Sequence, residues 1–213
     1  MRYAAFKNHK IQKTCKEKFD DEKKYRDILK KDFSDRCCYC NMPGGLVTTP
    51  YHIEHFIPKK AFEGKRDSLK TDYQNLIMWS CPKCNLSKGD KYKGDLEHDD
   101  RIVNELFYNP VMTDYNDIFY RNELGGIDSE DPKGREMIRL LKLYRPIHNL
   151  AWLVERLELL YDRIEDMEKR ETDRERRQLL AKIKGKVSDE YMKKERVFRA
   201  AYNGMKVFKE DME

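Results

Sequence analysis

The sequence Cys37-Cys38-Tyr39-Cys40 is followed, after 40 intervening residues, by a second paired-cysteine stretch, Cys81-Pro82-Lys83-Cys84. Two thiols separated by two residues can face one ion, and two such pairs supply the four thiolates of a closed tetrahedral zinc site. The alternatives are buried free thiols or a redox pair. The pattern predicts a structural zinc site whose ligands are Cys37, Cys40, Cys81 and Cys84, with Cys38 as a spare thiol.

The loop between the two cysteine pairs contains most of the candidate chemistry. It carries His52-Ile53-Glu54-His55-Phe56-Ile57-Pro58-Lys59 and then Asn75-Leu76, and Asn85 and Lys88-Gly89 follow the last cysteine. The residues from Tyr51 to Ile57 predict a strand that Pro58 ends. Residues 81–92 predict a zinc knuckle that continues into a helix.

This order of motifs resembles the HNH endonuclease family. The resemblance rests on Glu-His before a proline, then Asn-Leu, then Cys-x-x-Cys followed by Asn and Lys-Gly, and it covers about a quarter of the chain. It implies a small ββα-metal core in which a β-hairpin and a helix hold one divalent ion and a zinc knuckle fastens the two. It also implies hydrolysis of phosphodiester bonds to 5′-phosphate and 3′-hydroxyl ends.

The resemblance assigns roles residue by residue. His55 matches the general base, and its imidazole titrates near neutrality. Asn75 matches the residue that holds the loop over the base. Glu54 and Asn85 match the ligands of the catalytic ion, although Asn85 stands where the consensus has a histidine. The Asn85 carbonyl is a hard ligand, which favours Mg²⁺ or Mn²⁺ over softer metals.

The side of the strand that faces the catalytic ion stays open at this point. Neighbouring side chains of a strand face opposite sides, so His52 and Glu54 share a face and His55 lies on the other. Glu54 and His55 can reach one ion only where the strand twists, bulges or ends. The alternative is that His52 is the second ligand or an orienting partner. Lys59, Lys60 and Lys88 are the candidate phosphate contacts.

Composition predicts helices with narrow apolar stripes and long charged faces. Together with the ββα core that the resemblance implies, the expected fold class is α+β and mostly helical. Charged residues make up 39% of the 213 residues, and hydrophobic residues also make up 39%. Residues 1–95 hold 21 Lys+Arg against 13 Asp+Glu, a balance of +8, whereas residues 96–213 hold 23 against 26, a balance of −3. The basic half contains the cysteines, which favours a polyanionic partner such as DNA, with RNA also open.

Three regions are expected: an N-terminal helical segment (1–33), the zinc-bearing core (34–95) and a helical C-terminal region (96–213). The first should contain a helix near residues 16–33. Gly125-Gly126 predicts a hairpin turn. In the last region, Gly185 is expected to end a helix and Ser188 to cap the next one. The chain shows no secretory signal or membrane span, so a cytoplasmic protein with reduced thiols is expected.

The motif sequences are most similar to one branch of the family, which includes the HNH subunits of the Septu anti-phage system and of related retron-linked systems. That resemblance implies a separate ATPase subunit, with the C-terminal helices as its docking surface. Two other interpretations remain. One is a stand-alone restriction or homing-type HNH enzyme, although no DNA-reading motif accompanies the core. The other is a non-catalytic zinc module that binds nucleic acid or a partner.

Overall fold

The computed structural model describes residues 2–76, 79–98 and 101–204. Its helices, in chain order, are α1 (Arg26–Asp32), α2 (Lys59–Phe62), α3 (Pro82–Lys88), α4 (Tyr115–Ile118), α5 (Pro132–Leu141), α6 (Pro146–Arg170) and α7 (Arg174–Tyr202). Its strands are β1 (Ala4–Ala5), β2 (Tyr120–Arg121) and β3 (Ile127–Asp128), and 3₁₀ turns lie at Glu22–Tyr25, Gly44–Leu46 and Asp67–Lys70. The predicted fold class, mostly helical α+β, is confirmed.

A small antiparallel sheet has the strand order β1-β2-β3. The predicted hairpin joins β2 to β3, because the Asn122 amide donates to the Gly126 carbonyl (2.9 Å) and the Gly125 amide donates to the Asn122 carbonyl (2.9 Å). Gly125 has a φ of 73°, a conformation that glycine adopts without steric cost. The pairing of β1 with β2 fixes the N-terminus to residues more than 100 positions later.

The N-terminal helix is shorter than predicted. Helical structure begins with the 3₁₀ turn Glu22–Tyr25, whose N-cap Asp21 accepts a hydrogen bond from the Lys23 amide, and continues through α1. A side-chain cap of this kind satisfies an amide that has no partner within the helix, so it marks where the helix begins. Residues 16–20, expected to be helical, precede this cap as irregular chain.

The predicted strand Tyr51–Ile57 is also wrong in its extent. Only two isolated antiparallel bridges form, His52 with Ser80 and His55 with Leu76. In a regular antiparallel pairing the two residue numbers of every pair have the same sum. Here the sums are 132 and 131, so the register shifts by one residue between the two bridges. This shift explains why His52 and Glu54, which would share a face in a regular strand, differ: His52 is exposed and Glu54 is buried. The two bridges followed by α3 give the expected ββα order.

Contacts divide the chain into two compact units, Met1–Arg145 and Pro146–Glu213. The first contains the cysteines and all the predicted site residues. Its buried residues include a small cluster of Ile57, Phe62 and Leu69 directly after the His55 bridge. Within the described part of the chain, no helix is long and apolar enough to cross a membrane.

The second unit is built by α6 and α7. The predictions for Gly185 and Ser188 are wrong, because α7 continues through both residues. A glycine inside a helix costs about 1 kcal/mol relative to alanine, which the packing of two long helices can offset. Asp173 caps α7 by accepting from the Arg176 amide, and the Lys184 ammonium lies 2.6 Å from the Glu168 carboxylate of α6.

Candidate metal centre and catalytic residues

Four buried thiols converge in the first unit. The Sγ atoms of Cys37, Cys40, Cys81 and Cys84 all lie within 4.8 Å of one another. Four sulfurs about 2.3 Å from a tetrahedral zinc ion would be about 3.8 Å apart. The Cys40 and Cys81 sulfurs are 3.8 Å apart, and the Cys84 amide donates to the Cys81 sulfur (3.4 Å). The cluster therefore has the geometry of a structural zinc site, as the cysteine spacing predicts.

The pKa values of the cluster thiols are shifted in opposite directions. Burial opposes ionisation of Cys37, but hydrogen bonds from the other thiols bring its pKa well below the usual range. Burial raises the pKa of Cys40, as do its hydrogen bonds with Cys37 and Cys81. A zinc ion held by these four residues would require them as thiolates, and its charge would oppose the effect of burial on their pKa values. Cys38 is buried nearby but is not part of the cluster, as predicted for a spare thiol.

His55 is held in one orientation. Its imidazole is buried, and its Nε2 lies 2.9 Å from the Lys70 carbonyl oxygen. A carbonyl only accepts hydrogen bonds, so Nε2 carries the proton and Nδ1 keeps a lone pair. Burial lowers the pKa of His55, and the neighbouring Lys59 and Lys88 lower it further, whereas the hydrogen bond to Lys70 and the charge of Glu22 raise it. The imidazole is therefore neutral and able to accept a proton near pH 7.

Asn75 is fully buried and forms hydrogen bonds with the chain on both sides of α2. Its Oδ1 accepts from the Ile57 amide (2.9 Å), and its Nδ2 donates to the carbonyls of Ile57 (3.3 Å) and Leu69 (3.1 Å). Its own carbonyl accepts from the Phe56 amide (3.0 Å). These bonds hold the residues that follow His55 and the residue that precedes Lys70, whose carbonyl contacts the imidazole.

Asn85 of α3 faces His52 at the protein surface. The Asn85 Nδ2 lies 2.9 Å from the His52 Nδ1, which therefore presents a lone pair to Asn85. His52 is exposed and Asn85 is half-buried. An imidazole nitrogen and an amide oxygen in adjacent, solvent-accessible positions are suitable ligands for a divalent ion.

Glu54 and Lys88 point in the other direction, into the protein. The Lys88 ammonium lies 2.6 Å from the Glu54 carboxylate, and their side chains are 1% and 6% exposed. The ammonium also donates to the His55 carbonyl (2.8 Å). Burial raises the pKa of Glu54, and the charge of Lys88 opposes that shift. This geometry does not suit Glu54 as a ligand of an ion beside His52 and Asn85, and it does not present Lys88 to a phosphate.

Lys59 and Lys60 are exposed at the beginning of α2, four and five residues after His55. The Lys59 ammonium lies 2.6 Å from the carboxylate of Glu22, which is 15% exposed. Sequence reasoning missed Glu22. No motif marks it, because it lies in the N-terminal segment, 32 residues before Glu54, and reaches the site only through the fold.

A search against models of protein families adds an independent line of support. Residues 37–91 match the HNH endonuclease family. The matched segment comprises 55 of the 213 residues and begins at the first zinc-site cysteine. It includes His52, His55, Asn75, Asn85 and the complete thiol cluster. No curated protein and no solved structure matches the chain significantly. The HNH segment thus indicates a metal-dependent nuclease and, with it, a nucleic acid substrate.

Proposed function

We propose that this chain is a metal-dependent HNH endonuclease that hydrolyses phosphodiester bonds of DNA, with His55 as the general base. The observation that carries the proposal is the orientation of His55. The Lys70 carbonyl fixes the proton on Nε2 and leaves Nδ1 able to accept one. A neutral, oriented imidazole within an HNH-type segment is what proton abstraction from water requires.

In this proposal each residue of the site has a separate role in hydrolysis. His55 removes a proton from water, and the resulting hydroxide attacks phosphorus in line with the departing 3′ oxygen. Asn75 keeps the imidazole in place. His52 and Asn85 are the proposed protein ligands of a Mg²⁺ or Mn²⁺ ion. When bound, such an ion neutralises the negative charge that grows on the phosphate and on the leaving oxygen. This assignment adopts His52 instead of Glu54, since Glu54 is engaged with Lys88.

Lys59 and Lys60 are the proposed contacts to neighbouring phosphates. Both are exposed lysines directly after the His55 segment, and point charges at this place can position the backbone of a nucleic acid without reading its sequence. The +8 balance of residues 1–95 supports the same conclusion, because each neutralised phosphate releases counterions.

The biological setting we propose is an anti-phage defence complex in which an ATPase subunit binds the C-terminal helices. The resemblance to HNH subunits of such systems motivates this proposal. The pair α6 and α7 also exposes several large apolar side chains, among them Leu159, Met167, Leu179 and Met192. Co-purification of the native chain with an ATP-hydrolysing subunit is the expected result. Unaided cleavage of specific sites by the chain alone would favour a stand-alone enzyme instead.

Cleavage of plasmid DNA tests the proposed activity. The parent should cut in Mg²⁺ and not in EDTA, and His55→Ala should lower kcat by at least about 100-fold, since a general base contributes roughly that much. His98→Ala is the matched control, because His98 is exposed and pairs only with the nearby Asp95 among the contacts described. If His55→Ala cut as fast as the parent, the HNH mechanism would be wrong. If the parent bound DNA but never cut it, either alone or with its co-purified ATPase subunit, the chain would be a non-catalytic binding module.

A further inference from the structure

A lysine outside the HNH segment contacts the chain that supports the proposed base. Lys13, in the irregular N-terminal segment, donates from its ammonium group to the carbonyls of Tyr73 (2.6 Å) and Leu76. These two carbonyls lie on either side of Asn75. Lysine has three donors on one freely rotating group, so a single side chain can bind two carbonyls at once.

The segment around Lys13 is fastened to the Tyr73 side chain. The Lys13 ammonium lies 4.2 Å from the centre of the Tyr73 ring. The Tyr73 hydroxyl accepts from the amides of Thr14 (3.1 Å) and Cys15 (3.3 Å) and donates to the Asp32 carboxylate. The Thr14 hydroxyl donates to the same carboxylate (2.6 Å). These contacts join residues 13–15, α1 and the chain before Asn75 into one hydrogen-bonded arrangement.

Two contacts continue from Lys13 to the site. Leu76, whose carbonyl Lys13 binds, forms the antiparallel bridge with His55. Asn75, between the two bound carbonyls, holds the amides of Phe56 and Ile57. A shift of the Tyr73–Leu76 backbone would therefore move both the partner of the His55 backbone and the side chain that fixes the following residues. Misplacement of a catalytic group by about 1 Å can cost on the order of 100-fold in rate.

We propose that Lys13 is a positioning residue of the catalytic centre: by binding the carbonyls on either side of Asn75, it sets the position of the chain that orients His55. This inference rests on the proposed nuclease function for its kinetic consequence. Its structural consequence does not depend on activity. The HNH segment would accordingly need the N-terminal segment in order to work.

The test compares Lys13→Met with Lys16→Met in the full-length, zinc-loaded protein. Both variants replace one lysine of the same segment by an uncharged side chain of similar length, but Lys16 is exposed and none of the contacts described joins it to residues 73–76. We expect Lys13→Met to lower kcat at least about 10-fold. Its affinity for DNA in EDTA should stay within about 2-fold of the parent value. Lys16→Met should keep the kcat of the parent. A Lys13→Arg variant, which keeps the donors, should recover much of the rate.

Amide hydrogen exchange provides the readout that does not require activity. The amides of Phe56 and Ile57, which Asn75 holds, should exchange at least about 10-fold faster in Lys13→Met than in Lys16→Met. Unchanged exchange at these two amides would overturn the inference, whether or not the parent cleaves DNA. Equal kcat values for the two variants of an active parent would also overturn it.

Absence of cleavage by the parent would instead count against the proposed function, and the exchange rates would still decide the role of Lys13. If Lys13→Met does not fold, the same comparison is made with Lys13→Gln.

Discussion

The ammonium of Lys88 lies 2.6 Å from the carboxylate of Glu54 beneath the candidate site, and neither side chain is more than 6% exposed. The pair joins the C-terminal end of α3 to the chain that carries His52 and His55. Removal of one partner of such a pair leaves a buried charge without compensation, which costs far more than the pair contributes.

Lys88→Met should therefore destabilise the first unit by about 3 kcal/mol or more, as measured by denaturant unfolding. The double variant Glu54→Gln, Lys88→Met removes both charges and should be more stable than Lys88→Met alone. Lys60→Met, which removes an exposed charge, should change the free energy of unfolding by less than about 0.5 kcal/mol. Strict additivity of the Glu54 and Lys88 substitutions would contradict the pairing.

The assignment of the catalytic ligands gives a second prediction. His52→Ala and Asn85→Ala should each raise the Mg²⁺ concentration that gives half-maximal cleavage by at least about 10-fold, because they remove proposed ligands. Glu54→Gln, if folded, should leave that concentration within about 2-fold of the parent value. A large increase in the Mg²⁺ requirement of Glu54→Gln, with no change in His52→Ala, would restore Glu54 as the ligand.

The thiol cluster gives a third prediction. The purified protein should contain about one zinc ion per chain, and a strong chelator should remove it and unfold the first unit, because binding of a structural zinc ion supplies folding energy. Cys81→Ser should prevent stable zinc binding. Cys38→Ser is the matched control, since Cys38 is buried beside the cluster but lies outside it, and should retain zinc. Full zinc content in Cys81→Ser would exclude the proposed ligand set.

Local sequence patterns predicted the features that depend on short-range chemistry. The cysteine spacing gave the four-thiol cluster, Gly125-Gly126 gave the hairpin, and the motif order led to the HNH segment that the family comparison supports. Each of these features follows from short motifs whose residues are close in sequence, although the two cysteine pairs are 40 residues apart. The requirement of one ion for four ligands indicated that the two cysteine pairs meet, so no further knowledge of the packing was needed.

The features that sequence reasoning missed depend on tertiary contacts. The exposure of His52 and burial of Glu54 follow from a register shift between two bridges, which no periodicity in the sequence marks. The position of Glu22 beside Lys59 depends on how the N-terminal segment packs on the core. A helix through Gly185 requires the packing of α7 against α6, which overrides the local preference of glycine.

The ion pair between Glu22 and Lys59 gives a fourth prediction. A phosphate that binds Lys59 must compete with the Glu22 carboxylate, so Glu22→Gln should tighten DNA binding in EDTA. The gain should not exceed about 5-fold, because a partly exposed ion pair contributes up to about 1 kcal/mol. Asp20→Asn is the matched control, as it removes one negative charge from the same segment but from a pair with Lys24. Equal effects of the two substitutions would mean that only net charge matters.

The last prediction concerns pH. Burial lowers the pKa of Lys13 from its ordinary 10.5 to about 7, against the opposing charges of Asp32, Asp72 and Cys38. Between about pH 7 and 10.5 the unfolded chain therefore carries a proton on Lys13 that the folded chain has released, so stability increases with pH across this range. The neutral amine still has two hydrogens for the Tyr73 and Leu76 carbonyls.

Urea unfolding of the parent and of Lys13→Met at pH 6.5, 8 and 9.5 measures the effect. The parent should gain stability relative to Lys13→Met as the pH rises, whereas its difference from Lys16→Met should stay constant. If the difference in unfolding free energy between the parent and Lys13→Met also stayed constant, Lys13 would have the same pKa in the folded and unfolded chains.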